Sequence, residues 1–241
     1  MKTTKKGFTL VELLAVIGII GILAAALFPQ VTGAIMNANM TAVGTKGRDI
    51  FMAITQANLE REPLGLAKIW PSSTATDTKL AAASSSCTAY FNYLAGRSEQ
   101  QVNGAYVPVA EGFDYTKCSG AGVPPNPGNT ELQKKYNMWI IAGDVPEGLN
   151  ESVPMLVTRN INESILKTTG SINESTPDET AITWSTEAER TQPFGEKGLV
   201  SIRLSGAIVK LRGSSQCKVG LLYNNAYVKF PDSSTFKYLI P

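Results

Sequence analysis

Gly7-Phe8-Thr9-Leu10-Val11-Glu12-Leu13-Leu14 sets one carboxylate inside an apolar run that follows directly on a lysine-rich start. From Phe8 to Phe28 the only polar side chains are Thr9 and Glu12. Roughly 20 apolar residues in a helix cover the ~30 Å hydrocarbon core of a bilayer, so this segment can span one. A glutamate at that depth costs about 2.5 to 3.5 kcal/mol at a helix centre, which makes it a functional candidate with a partner to be found. No Lys or Arg occurs between Lys6 and Lys46. The pairing cation must therefore be a chain terminus, a lipid or another subunit.

Outward from this stretch, Lys2, Lys5 and Lys6 precede it and Pro29 follows it. The leader lysines keep the amino terminus cytoplasmic and send everything after Pro29 across the membrane. A cleavable secretory signal also has a charged start, but its apolar centre is 7 to 15 residues, and this run is too long. A plain bitopic anchor, with Glu12 snorkelling to the interface, is the other ordinary reading.

GFTLVELLAVIGIIGILAAALFP, Gly7 to Pro29, resembles the class III signal of type IV pilins and the pseudopilins of type II secretion. A short basic leader, a glycine before the cut, a phenylalanine after it and a glutamate as fifth mature residue carry the resemblance. It implies cleavage by a prepilin peptidase between Gly7 and Phe8 and N-methylation of Phe8. It further implies assembly into a homo-oligomeric helical filament on an inner-membrane platform, with Glu12 paired to the Phe8 amine of a neighbour. A pair formed only between subunits rewards correct axial register. The resemblance also implies a segment able to melt between Gly21 and Pro29. The residues agree that this stretch is weak, since Pro29 lacks a donor and clashes with the Ala25 carbonyl, and Gly18 and Gly21 lower helix propensity. A simple kink is the alternative.

Beyond Pro29, Met36, Met40, Val43, Gly47, Ile50, Ile54 and Ala57 recur at alternating steps of four and three, the seam of an amphipathic helix. That helix is expected to reach Glu62 and stop before Pro63. The chain then divides into a leader (1–7), a long helix (8–62, with 8–29 as membrane span and filament core) and a globular head (63–241). Lys79 to Ala95 reads as a second helix, and Val123 to Gly128 as a rigid Pro-rich loop. Strands are expected at Met138–Ala142, Met155–Thr158, Leu199–Leu204, Ala207–Leu211 and Ala226–Phe230, the third and fourth joined by Ser205-Gly206 as a hairpin. Helix first and antiparallel strands later is an α+β order. With the resemblance it implies a lollipop: a long helix whose second half packs on an antiparallel sheet.

The 241 residues carry a formal charge of +2, of which three positive charges belong to the leader, leaving −1. No nucleic-acid partner is indicated. There are no histidines, which removes the commonest general base and metal ligand. With no catalytic constellation, no cofactor motif and no metal motif, the chain is not expected to be an enzyme. Cys87, Cys118 and Cys217 lie in the part expected to be exported, where a disulfide is permitted. Three pairings are open. Cys87 with Cys118 closes the shortest loop and is the expected pair, with three reduced thiols as the alternative.

Three weaker features are weighed. Asn150, Asn162 and Asn173 each begin an NES triplet, a sequon that needs its own transferase. Asp144, Glu147, Asn150 and Glu151 offer oxygen ligands suited to calcium, although a solvated turn explains them more simply. Tyr90, Phe91 and Tyr93 could form a stacking or electron-carrying cluster, but ordinary core packing explains two of them and is the preferred reading. The expectation is a filament subunit of a pilus or pseudopilus, resident in the inner membrane with its head exported and then part of an extracellular or periplasmic fibre. The alternative is a monomeric membrane-anchored binding or sensing domain facing the periplasm.

Overall fold

An apolar run without early helix breakers, joined to the seam beyond it, gives a single helix, α1 (Leu10–Arg61). The computed structural model describes residues 7–97, 108–128, 130–146, 148–172, 178–213, 217–230 and 236–241. They form two compact units, one ending at Asn39 and one beginning at Met40. In the first unit α1 is long and apolar enough to cross a membrane, and its large apolar side chains from Phe8 to Ile35 are exposed.

In the second unit α1 buries Met40, Val43, Gly44, Gly47, Ile50, Ala53, Ile54, Ala57 and Asn58. The expected seam is present from Met40 onward, widened by Gly44 and Ala53. Met36 lies in the first unit and is not among the buried residues. The glycines mark close approach: a Cβ on Gly47 would stand 2.6 Å from Trp139 Cη2, and one on Gly44 2.7 Å from Ile208 Cγ2. The α-helix ends at Arg61, because Glu62–Leu64 tightens into a 3₁₀ turn around Pro63 and Gly65 closes it at φ 65°.

The sheet has five strands, all antiparallel, in the order β5-β4-β2-β1-β7. They are β1 (Trp139–Gly143), β2 (Pro154–Thr158), β4 (Gly198–Arg203), β5 (Ile208–Arg212) and β7 (Lys237–Leu239). β1 and β2 are buried along their whole length, which is why they read as continuous apolar runs rather than alternating ones. The β4–β5 hairpin turns through Gly206 at φ 77°, a left-handed conformation that glycine reaches without steric cost. The fold is α+β, as the element order implies.

Three expectations are corrected. The single helix from Lys79 to Ala95 is two, α2 (Thr78–Ala83) and α3 (Cys87–Leu94). Ser84, Ser85 and Ser86 part them: Ser84 Oγ bonds back to the Leu80 carbonyl and Ser86 Oγ accepts from the Ala89 amide to start α3. Serine competes with the helix ladder in this way and favours caps. The strand expected over Ala226–Phe230 shrinks to β6 (Val228–Lys229), which pairs with β3 (Ser171–Ile172) in a separate two-stranded sheet. All three of Tyr90, Phe91 and Tyr93 are buried. The two hydroxyls are satisfied internally, Tyr90 on the Ile69 carbonyl at 2.7 Å and Tyr93 on Asp77 at 2.9 Å.

Candidate assembly site at the start of the helix

Thr9 is the last residue before α1, and Glu12 is the third residue within it. The Glu12 amide donates to Thr9 Oγ1 at 3.3 Å. In return Glu12 Oε2 accepts from the Thr9 amide at 2.8 Å and from the Thr9 hydroxyl at 2.7 Å. This is a capping box, in which two backbone donors at a helix start are satisfied reciprocally. The two polar side chains of the apolar run thus solve each other's hydrogen bonding. The exchange satisfies the carboxylate's hydrogen bonding without neutralising its charge.

Sequence reasoning missed Thr9, although T-x-x-E ahead of an apolar run was the readable signal. Gly7 and Phe8 lie ahead of the helix and are exposed, and a Cβ on Gly7 would meet nothing within 4 Å. In the uncut chain the Phe8 nitrogen is a peptide nitrogen and carries no charge. A Cβ on Gly21 likewise meets nothing within 4 Å. α1 runs through Pro29 without interruption, and Thr32 Oγ1 donates to the Pro29 carbonyl at 2.9 Å.

Cys87, Cys118 and Cys217 are free and buried thiols. The described residues of the acidic turn do not gather into a cation cage. Asp144 is spent on its neighbours, accepting from Ser72 Oγ, the Ser73 amide and Ser73 Oγ at 2.7 to 2.9 Å. Asn150 Oδ1 caps the Ser152 amide and Asn162 Oδ1 the Ser164 amide. Glu147 and Asn173 lie outside the described residues, among which no cluster suited to a metal occurs. Asp144 also lines a cavity of about 170 Å³ with Trp70, Pro71, Ser72, Thr74 and Val145. Two of its polar groups, Ser72 and Asp144, are already bonded to each other.

Two buried arginines were also illegible in sequence. Arg190 reaches Glu163 at 2.8 Å, Glu187 at 3.4 Å and the Ile161 carbonyl at 3.0 Å. Arg159 donates to the carbonyls of Gln192, Lys134 and Asn137. Burial lowers the Arg159 pKa to about 10, so it remains a cation at neutral pH. These fork-shaped donors tie irregular segments to the sheet.

The prokaryotic N-terminal methylation motif matches residues 2–28. The type IV major fimbrial protein FimA of Dichelobacter nodosus is 37% identical over 76 residues, covering 24% of this chain and 49% of that protein. The chain thus spans about half the length of the curated relative it matches. No solved structure matches it. A methylation motif over residues 2–28 and a fimbrial relative over about a quarter of the chain agree with a capped apolar helix and an α+β fold: the chain carries a type IV pilin-like amino-terminal segment.

Proposed function

We propose that this chain is a structural subunit of a type IV pilus-like or pseudopilus filament. It is divided into a leader (1–7), a long helix (8–62) and a head (63–241). A prepilin peptidase cuts between Gly7 and Phe8 and methylates the Phe8 amine. The subunit waits in the inner membrane with its head exported, and an assembly platform moves it into an extracellular or periplasmic fibre. Glu12 then pairs with the Phe8 amine of a neighbour, and a head-to-tail contact that does not close generates a helix.

The observation that carries this reading is Glu12 itself. It is the one carboxylate in the apolar run, hydrogen-bonded by Thr9, with no cationic partner among the described residues. A new terminal amine four residues upstream is the cation that cleavage creates, and a neighbour's amine completes the pair.

Electron microscopy of sheared surface filaments from cells carrying Glu12→Val tests the proposal, with membrane fractionation as control. The expected result is a normally inserted subunit and no fibres. Fibres at normal yield would overturn the pairing. Membrane residence with no fibres even from the unsubstituted chain would favour the monomeric anchored domain.

A further inference from the structure

We propose that Cys87 and Cys118 become a disulfide during export and that Cys217 remains a thiol. The argument starts from what holds the two residues together. Cys87 is the first residue of α3, and its amide donates to the carbonyl of Ile240 at 2.9 Å. Cys118 ends the 3₁₀ turn Tyr115–Cys118, and its carbonyl accepts from the Met138 amide at 2.9 Å. The residue before Met138, Asn137, reaches Thr88 Oγ1 at 3.3 Å and hydrogen-bonds the Cys87 thiol. Cys87 is thus held at Asn137 and Cys118 at Met138, two consecutive residues leading into β1, and both cysteines are fully buried.

Their electrostatics agree with that placement. Burial raises the Cys118 thiol well above its ordinary value, and the next largest influence on it is Cys87. Cys217 sits elsewhere, its carbonyl accepting from the Ile182 amide at 2.8 Å. Burial alone pushes its thiol up to about 11.

A protonated buried thiol is a poor nucleophile. The bond must then form before the core closes, while the chain is emerging. One thiolate attacks a disulfide of a thiol-oxidising protein in the export compartment and releases one of that protein's sulfurs as a thiol. The second thiolate attacks the mixed disulfide and releases the other. The chain loses two protons and two electrons, and the donor disulfide gains them. Once the core is packed, the bond is shielded from reductants. It staples α3, the 3₁₀ turn and the entry to β1 into one layer.

The inference needs export and does not need filaments, so failure of the assembly reading leaves it standing. The full chain is taken from membranes of exporting cells, denatured in N-ethylmaleimide without reductant, digested and weighed. A Cys87 peptide linked to a Cys118 peptide, 2 Da below the sum of the free pair, with Cys217 alkylated, is expected. The link should survive in Cys217→Ser. Native protein should keep it in a reductant that removes it after denaturation. Reduction under denaturing conditions and refolding should lower the melting midpoint by roughly 7 to 15 °C, from the loop closed and the size of the unit. Three alkylated thiols in the exported chain, or a link through Cys217, would overturn the proposal.

Discussion

Replacing Gly47 by Ala tests how α1 meets the sheet in the second unit. The added Cβ would stand 2.6 Å from Trp139 Cη2, 2.8 Å from Ile202 Cγ1 and 3.0 Å from Trp139 Cζ2. Trp139 and Ile202 are both fully buried, on strands β1 and β4 of the same sheet, so neither can swing away. Overpacking of this kind costs about 1 to 3 kcal/mol, and three contacts on rigid groups argue for the upper end. Alanine in place of glycine returns about 1 kcal/mol of helix propensity. The net is a loss of roughly 2 kcal/mol, or about 4 to 8 °C in melting midpoint for a unit of this size. Gly44→Ala is the internal control. Its Cβ would come within 2.7 Å of Ile208 Cγ2, equally close, but Ile208 is 36% exposed on the edge strand β5 and can turn outward. Thermal unfolding of the full chain in detergent, followed by tryptophan fluorescence, should rank Gly47→Ala well below Gly44→Ala, with the latter near the unsubstituted chain. Equal midpoints for the two variants would refute the claim that neighbour rigidity, rather than distance, sets the cost.

Other outcomes follow from the same residues. Intact mass of filament-extracted protein should begin at methylated Phe8, and a retained Met1 to Gly7 would exclude the cleavage step. Thr9→Ala removes the hydroxyl partner of Glu12 and should reduce assembly less than Glu12→Val, whereas Thr9→Ser should restore it; fibre yield on grids reads both. Stability should be level from pH 7 to about 5 and fall below about 4. Burial opposes ionisation of Asp77 and Glu163, but hydrogen bonds from Tyr93 and from Arg190 prevail and hold both carboxyls below their ordinary values. A depressed native pKa gives stability above the unfolded value, lost as pH falls through the native one; urea midpoints check this, and Asp77→Asn should flatten the slope. Pro29→Ala should give a stiffer filament under optical-trap extension, and unchanged extensibility would leave Pro29 an ordinary helix residue.

The long helix was legible because its two halves obey different rules that both show in composition. The first is uniformly apolar, and the second carries small or apolar residues at steps of three and four from Met40 to Ala57. The strands β1, β2 and β4 were legible within a residue or two for a similar reason, as largely apolar runs, and β5 as the second arm of the hairpin through Gly206. What escaped reading depended on single side chains or on partners distant in sequence. The Ser84 to Ser86 break is a local contest between hydroxyls and the helix ladder, invisible to a periodicity that continues through it. β7 has only three residues, Lys237–Leu239, and exists because β1 offers an edge to pair with. Arg190 sits in a polar stretch, and nothing near it announces burial; Glu163, its closest partner, is 27 residues away. Thr9 is the exception, since its capping-box spacing was on view.

Under the proposed pairing, the balance between bilayer and fibre turns on the Glu12 charge more than on the apolar surface around it. Fifteen large apolar side chains from Phe8 to Ile35 are exposed in the isolated chain. At about 1.5 to 3 kcal/mol for each fully buried side chain, water is a poor solvent for this segment by tens of kcal/mol. Lipid tails and neighbouring helices cover such surface almost equally well, because association within a membrane has no hydrophobic driving force of its own. The apolar residues therefore hold the subunit out of water in either place without choosing between them. A charge chooses. Hydrogen bonds from Thr9 satisfy Glu12 without neutralising it, and in the proposed pairing the cation comes from a neighbouring subunit in the helix bundle. On this account Glu12→Val removes the preference while leaving insertion intact, and substitution of an equally exposed leucine such as Leu23 by isoleucine should change neither insertion nor assembly. A leucine change that abolished fibres while Glu12→Val permitted them would invert the argument.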